Sequence, residues 1–125
     1  MKQAYTFVIT GILLSLFVLP VQADEVVTTT IGNLYKDKAE LQGKQVKLEG
    51  RVVKVNNKIM QRNFLHLQDG TGNSQDGSDD ITITSQDTAS VGDQVIVTGT
   101  LILDHDFGAG YRYPLLIEKA SIVSK

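Results

Sequence analysis

The chain has no cysteine, and this absence excludes several kinds of chemistry. Without a thiol there is no disulfide, no covalently attached haem, no thiolate metal site and no cysteine-linked lipid. The chain also lacks a long hydrophobic run, since the apolar stretch at residues 7 to 20 is too short to span a membrane comfortably. No basic stop-transfer cluster follows it, so a permanent membrane anchor is not expected.

The same apolar stretch has the pattern of a secretory signal peptide. It follows Met1-Lys2, ends at a helix-breaking Pro20 and leads to the small-residue sequence VQA before Asp24. We therefore expect residues 1 to 23 to be removed after Ala23, leaving residues 24 to 125 as a single domain. A short n-region and an exported chain without cysteine predict the periplasm of a Gram-negative cell.

The chain also lacks an excess of positive charge. Residues 24 to 125 contain 11 of the 12 basic residues and all 14 acidic ones, a formal net charge of −3. Because nucleic-acid affinity depends largely on neutralising phosphates, a nucleic acid is the less expected partner.

Catalytic motifs are missing as well. Neither histidine belongs to a recognisable serine and acid motif, and no phosphate-binding glycine loop precedes a helix. Asp104 and Asp106 flank His105, but strand neighbours point to opposite faces, so the three do not form a catalytic dyad by spacing. The chain is not expected to be an enzyme.

What the sequence does contain is a series of strand patterns behind one short helix. The helix is predicted between Thr28 and Gly43, with Thr30 as a possible N-cap and Gly43 as its stop. Alternating apolar residues and intervening turn residues predict five strands, at 45 to 55, 64 to 69, 81 to 85, 94 to 103 and 113 to 123. The first turn is predicted at Asn56-Asn57.

The first and fourth predicted strands contain a glycine where the strand is expected to bend. In the first, the buried phase changes just beyond Gly50, and Gly99 has a similar position in the fourth. A strand that changes phase beside a glycine bulges and passes from one sheet layer to another. The predicted fold is all-β, a small five-stranded antiparallel OB-fold Greek-key barrel with one short N-terminal helix that plugs its bottom. A sandwich is the main alternative and needs more strands.

Three segments also resemble a known group of proteins. LQGKQVKLEGRVVKVNNKIMQRNFLHLQDGTG, ITITSQDTASVGDQVIVTGTL and DFGAGYRYPLLIE are similar to small periplasmic NrfJ-like OB-fold proteins, related to the anticodon-binding type of OB domain. The resemblance covers nearly all of residues 28 to 123. Members lie near multihaem cytochrome nitrite reductases, which implies a periplasmic protein partner such as a cytochrome or respiratory component. The chain departs from the usual pattern at Gln61, where glycine is commoner, and at Phe64, where tryptophan is commoner.

A candidate ligand-binding face follows from the strand phases. Leu65 and Leu67 share the inward phase, which places Phe64 and His66 outside, on the face where OB-folds usually bind ligands. The predicted site residues are Lys54, Arg62, Phe64, His66, Thr82, Tyr111, Arg112 and Tyr113. Protein or peptide binding is the favoured function, and oligonucleotide binding is an alternative. Phe64→Ala is then expected to weaken binding with little loss of stability. A purely structural alternative is that Phe64 packs under a helix or loop and the tyrosines hold the last hairpin together.

Two metal sites are further alternatives. Met60, His66 and His105 are ligands suited to periplasmic copper, although their spacing matches no known motif. Calcium is a less expected ligand than copper. The loop DGTGNSQDGSDD lacks the EF-hand order, although it offers oxygen ligands from Asp69, Asn73, Asp76, Asp79 and Asp80. A solvated hairpin loop is the more expected interpretation of that segment, and no cofactor is firmly predicted.

Overall fold

A computed structural model of the protein describes residues 25 to 125. The predicted signal peptide and its cleavage point lie outside the described residues. The elements are, in chain order, strand β1 (Val27–Thr28), helices α1 (Ile31–Lys36) and α2 (Lys38–Leu41), and strands β2 (Gln45–Ile59), β3 (Arg62–Gln68), β4 (Asp80–Ser85), β5 (Gln94–Asp106) and β6 (Arg112–Ser124). No helix among them is long and apolar enough to cross a membrane.

The predicted N-terminal helix is present as two short helices. Thr30 is the N-cap, and its hydroxyl accepts the Asn33 N–H at 3.2 Å, as its position in the sequence suggested. The helical path is interrupted at Asp37, whose φ of −105° and ψ of 19° lie outside the helical range. Ile31 and Leu34 of α1 and Leu41 of α2 are buried in the central core, so the helices close one side of it as expected.

Strand β2 is long because it serves two partners. Residues 45 to 51 pair with β5, and residues from 51 onward pair with β3, with a bulge between Val52 and Lys54. Gly50 lies just before this change, and a Cβ there would come within 2.8 Å of Leu67 Cδ2. The predicted bend is therefore confirmed, and glycine is required because β2 approaches β3 too closely for a side chain.

The sheet contains six strands, one more than predicted. The extra strand is β1, a two-residue parallel partner of β2. The other five are hydrogen-bonded in the order β2, β3, β4, β6 and β5, and β5 pairs again with β2. The prediction of purely antiparallel pairing was wrong for one pair among the five predicted strands, since β4 and β6 are parallel. No crossover helix is needed there because β5, antiparallel to both β2 and β6, lies between β4 and β6 along the chain.

The core lies between the inward faces of these strands and the two helices. Every second residue along β2 and β5 is buried over the paired segments, which is the expected period for strands with one solvent face. β4 differs, because five consecutive residues from Ile81 to Ser85 are buried. Other parts of the protein therefore cover the outer side of β4 as well as its inner side.

Candidate functional site

The outer face of β3 and β4 has the strand phase that the sequence predicted. Leu65 and Leu67 are fully buried in the core, whereas Phe64 and His66 point the other way. The ladder places Thr84 opposite Phe64 and Thr82 opposite His66, so all four side chains belong to one face.

A cleft of about 240 Å³ lies on this face, between the β2–β3 hairpin and the β5–β6 hairpin. It brings together five of the predicted site residues. Its lining consists of Lys54, Asn56, Ile59, Phe64, His66, Tyr111 and Tyr113. The candidate residues of three separate sequence segments therefore meet in one place.

Two lining residues, Asn56 and Ile59, were missed because the first turn was predicted at Asn56-Asn57. The strand continues to Ile59, and the turn lies at Met60 and Gln61, whose φ values are 49° and 65°. Two left-handed residues suit a tight hairpin turn. Extending the alternation of Lys54 by two residues would have identified Asn56.

Phe64 forms the floor of the cleft and is only 4% exposed. Phe107 packs edge-on against it at a centroid distance of 5.4 Å, and Tyr113 stacks on it at 5.9 Å. The expectation that Phe64 is an exposed surface residue was therefore wrong, although its assignment to the outer face was right. The structural alternative, in which Phe64 packs under a loop and Tyr113 holds the hairpin, describes this contact correctly.

Arg62 packs against the ring of Phe107. Its guanidinium stands 4.8 Å from the centroid of the Phe107 ring, and Nη1 donates to Glu118 Oε1 at 3.0 Å. Arg62 does not line the cleft but a second pocket beside it. Its charge is already balanced by Glu118, which reduces the positive potential of this face.

The last two predicted site residues also lie outside the cleft. Thr82 is 7% exposed and sits in β4 between His66 and Leu116 of the neighbouring strands. Arg112 is exposed and lies opposite Asp106 at the start of β6. Thr82 therefore supports the face from within the sheet, while Arg112 is free to reach a partner near Tyr111.

His66 is paired with an acid that was expected to lie elsewhere. Its Nδ1 is 2.7 Å from Asp80 Oδ1, and Gln68 donates to Asp80 Oδ2 at 3.1 Å. The sequence pattern places Asp80 in the loop DGTGNSQDGSDD, but Asp80 begins β4 directly opposite Gln68. Among the described residues that line the cleft, Lys54 is the one lysine or arginine.

Asp80 also contacts α1 through its main chain. The Tyr35 hydroxyl donates to the Asp80 carbonyl oxygen at 2.5 Å. Burial, followed by the negative charges of Asp80, Asp79 and Asp76, raises the pKa of Tyr35 to about 12. Tyr35 therefore stays protonated and keeps this hydrogen bond over the whole physiological pH range.

The predicted copper ligands occupy three different positions. Met60 is exposed in the β2–β3 turn, His66 is paired with Asp80, and His105 lies edge-on to Phe107 at a centroid distance of 4.3 Å. Within residues 25 to 125, no three His, Cys, Asp or Glu side chains are grouped to hold a metal ion. Copper binding by a methionine and two histidines stays a prediction.

The carboxylates of the acidic loop are used inside the fold. Asp69 Oδ2 accepts the Ile31 N–H at 2.9 Å, and its Oδ1 accepts from the main chain and hydroxyl of Thr71. Asp76 Oδ1 accepts from the main chain and hydroxyl of Ser78, and these contacts lower the pKa of the Asp76 carboxyl. The loop is thus held by hydrogen bonds from its own side chains, and calcium binding by it stays a prediction.

Comparison with solved structures supports an OB-type fold. A chain assigned as an aspartyl-tRNA synthetase from Leishmania major Friedlin matches with a TM-score of 0.52 and 16% identity, over 86% of this chain and 22% of its own length. An asparaginyl-tRNA synthetase from Entamoeba histolytica, in complex with asparaginyl-adenylate, matches with a TM-score of 0.52 and 15% identity, over 82% and 24%. The chain therefore spans about a quarter or less of these synthetases, and the likeness is one of fold.

No protein-family model matches the chain, and no curated protein matches it. The OB-type part of the resemblance is supported by the synthetase structures. Membership among NrfJ-like periplasmic proteins stays a prediction.

Proposed function

We propose that the chain is an exported, non-catalytic OB-fold barrel that binds a protein or peptide partner through the cleft between its two long hairpins. The observation that supports this most is the convergence of Lys54, His66 and Tyr111 around a floor formed by Phe64. The partner we propose is a periplasmic protein, such as a cytochrome or another respiratory component.

The size of the cleft favours a macromolecular partner that inserts one side chain. Small-molecule pockets usually enclose about 300–1,000 Å³, and this cleft is smaller at about 240 Å³. A single apolar or aromatic side chain can act as the anchor of a protein interface while polar contacts surround it. Tyr111, 52% exposed, provides part of that rim.

The charges of the cleft select the neighbours of such an anchor. Lys54 is exposed in the lining, and Arg112 is exposed close to Tyr111 in sequence. An acidic residue next to the anchor would face these two cations. We therefore propose that the bound segment combines a large apolar side chain with a neighbouring Asp or Glu.

Oligonucleotide binding is the second candidate, and the likeness to two aminoacyl-tRNA synthetases favours it. Charge opposes it, since Glu118 balances Arg62, the Asp80 carboxylate lies against His66, and the domain is acidic overall. Base stacking would also require a free aromatic face, and Phe64 is already covered by Phe107 and Tyr113.

An amide NMR titration of the isotope-labelled secreted protein tests the proposal. The probes are capped tripeptides in which an aspartate precedes alanine, leucine, phenylalanine or tryptophan. We expect shifts at Lys54, His66 and Tyr111 that grow with the size of the variable side chain. Tyr111→Ala should lower the affinity for the tryptophan peptide by about fivefold or more, which is the effect of losing a contact worth about 1 kcal/mol. The melting temperature should not change. Val91→Ala, at an exposed valine outside the cleft, is the matched control.

Two other probes distinguish the alternatives. A short oligothymidylate that binds the same residues more tightly than every peptide, with affinity that falls steeply with salt, would replace the proposal by the oligonucleotide candidate. One equivalent of Cu(I) that shifts only residues around Met60, His66 and His105, and is lost in His66→Ala, would replace it by copper binding. Absence of any shift in the cleft with the peptides would refute peptide binding there.

A further inference from the structure

A second pocket, of about 480 Å³, lies where β4 and β6 change register. Its lining includes Arg62, Thr84, Asp87, Glu118, Lys119 and Ser121. The volume falls in the range of about 300–1,000 Å³ that is usual for small-molecule sites. None of the sequence patterns pointed to this pocket, because its residues come from the start of β3, the end of β4 with the turn after it, and the middle of β6.

A bulge in β6 opens this pocket. The ladder of β4 and β6 shifts between Ile83 and Ser85, and that of β5 and β6 shifts between Thr98 and Thr100. Lys119 therefore has no ladder partner in either neighbouring strand, and its φ of 52° is left-handed. Bulges of this kind disrupt the ladder and redirect side chains, and they are frequent next to functional sites.

Thr84 lines this pocket and has a hydroxyl with no hydrogen-bond partner among the described residues. Thr84 is 1% exposed, and within residues 25 to 125 its Oγ1 is the buried side-chain oxygen or nitrogen that lacks a hydrogen-bond partner. A buried hydroxyl without a partner is destabilising, so native proteins rarely retain one without a reason. The neighbouring Ser85 hydroxyl, in contrast, donates to the Ala120 carbonyl oxygen.

The charges around the pocket are balanced in sign. Arg62 and Lys119 are positive, and Asp87 and Glu118 are negative. Arg62 and Glu118 already form an ion pair at 3.0 Å, and their side chains are 31% and 18% exposed. A ligand with one net charge would be attracted by the two residues of opposite charge and repelled by the two of like charge. A zwitterion can have a favourable contact with both groups.

We propose that this pocket is a second binding site, which takes a short zwitterionic peptide. The peptide carboxylate contacts Arg62 and Lys119, its ammonium group contacts Glu118 and Asp87, and an amide between them hydrogen-bonds to Thr84 Oγ1. The inference is independent of the proposed function, because, among the described residues, this pocket shares no lining residue with the cleft lined by Lys54 and Tyr111.

The test compares three probes that differ in the charges at their two ends. Alanyl-alanine is a zwitterion, its N-acetyl derivative keeps only the carboxylate, and its C-terminal amide keeps only the ammonium group. In NMR titrations of the secreted protein, we expect alanyl-alanine to shift residues around Thr84, Gln86 and Lys119 and to bind about tenfold more tightly than either derivative. Equal affinities for the three, or no shift with any of them, would overturn the proposal.

A variant at Thr84 distinguishes a binding role from a structural one. Thr84→Val removes the hydroxyl without changing the shape, so we expect a higher melting temperature and an affinity for alanyl-alanine at least fivefold lower, about 1 kcal/mol. Thr84→Ser keeps the hydroxyl and should retain binding, and Thr98→Val, on β5 outside the pocket, should change neither affinity nor shifts. A Thr84→Val protein that binds like the parent would also overturn the proposal. Tyr111→Ala should leave this site intact, so the two sites fail independently.

Discussion

Phe107 lies edge-on against Phe64, with ring centroids 5.4 Å apart and planes inclined at 73°. An aromatic residue from the β5–β6 hairpin thus covers the residue on β3 that OB-folds would expose to a stacking ligand. The cleft that stays open beside this contact is consequently small, and it exposes Tyr111 rather than Phe64.

The burial of Phe64 changes the expected effect of its removal. Phe64→Ala should lower the free energy of unfolding by about 3 kcal/mol, because a buried phenylalanine leaves a cavity that its neighbours only partly fill. Urea denaturation measures this loss. Tyr111→Ala, at a residue 52% exposed, is the control and should cost less than about 0.5 kcal/mol. Similar losses for both variants would contradict the assigned burial.

Gly99 should tolerate no side chain. A Cβ at this position would lie 2.6 Å from Ile117 Cγ2 and 3.0 Å from Ala120 Cα, inside the bulge of β5 and β6. Gly99→Ala should therefore destabilise the protein by about 1–3 kcal/mol through overpacking. The melting temperature, measured by circular dichroism, is compared with that of Ser121→Ala. Ser121 is exposed and lies on the neighbouring strand, opposite Thr98. An unchanged melting temperature in Gly99→Ala would mean that the strands separate more easily than their packing indicates.

Asp69 should be the acidic loop residue that matters most for stability. It accepts the Ile31 N–H at the start of α1 and two hydrogen bonds from Thr71, so Asp69→Ala should cost about 1–2 kcal/mol, as the loss of a helix cap does. Asp76→Ala, which removes contacts only within the exposed loop, is the matched control and should cost less. Chemical denaturation of both variants in the presence of a chelator separates this effect from any bound calcium.

Tyr35 should make stability decrease at alkaline pH. Its pKa is about 10 when unfolded and about 12 in the native state, so the folded protein binds the proton more tightly. The resulting contribution to stability is complete below pH 10 and is lost as the pH rises from 10 to 12. The difference in stability between the parent and Tyr35→Phe should narrow over this interval. In a pH titration followed by tyrosinate absorbance, the ionisation that occurs near pH 12 should be absent from Tyr35→Phe.

The strands of the fold could be predicted because their signals are local. Alternation along 94 to 103 and 113 to 123 identified β5 and β6, and Gly50 and Gly99 indicated where the strands bend. The two-residue β1 has too few residues for any period, and the turn at Met60 and Gln61 lacks the glycine or asparagine that usually indicates a left-handed turn.

The site was harder to predict, because burial on the outer face depends on contacts between distant segments. Nothing near Phe64 in the sequence indicates that Phe107 and Tyr113, more than forty residues later, will cover it. The pairs His66–Asp80 and Arg62–Glu118 likewise join separate strands. Strand phase gives the direction of a side chain, but only the packed structure gives its surroundings.

The position of β6 between β4 and β5 has a consequence for folding. Among the described strands β6 comes last along the chain, so until it docks, β4 and β5 each present a row of unpaired main-chain groups. Such open edges can pair with another molecule and start aggregation. A chain in which β6 is not yet synthesised, or has been removed by a protease, should therefore self-associate through these edges. The protein is protected against aggregation only when β6 has paired with β4 and β5.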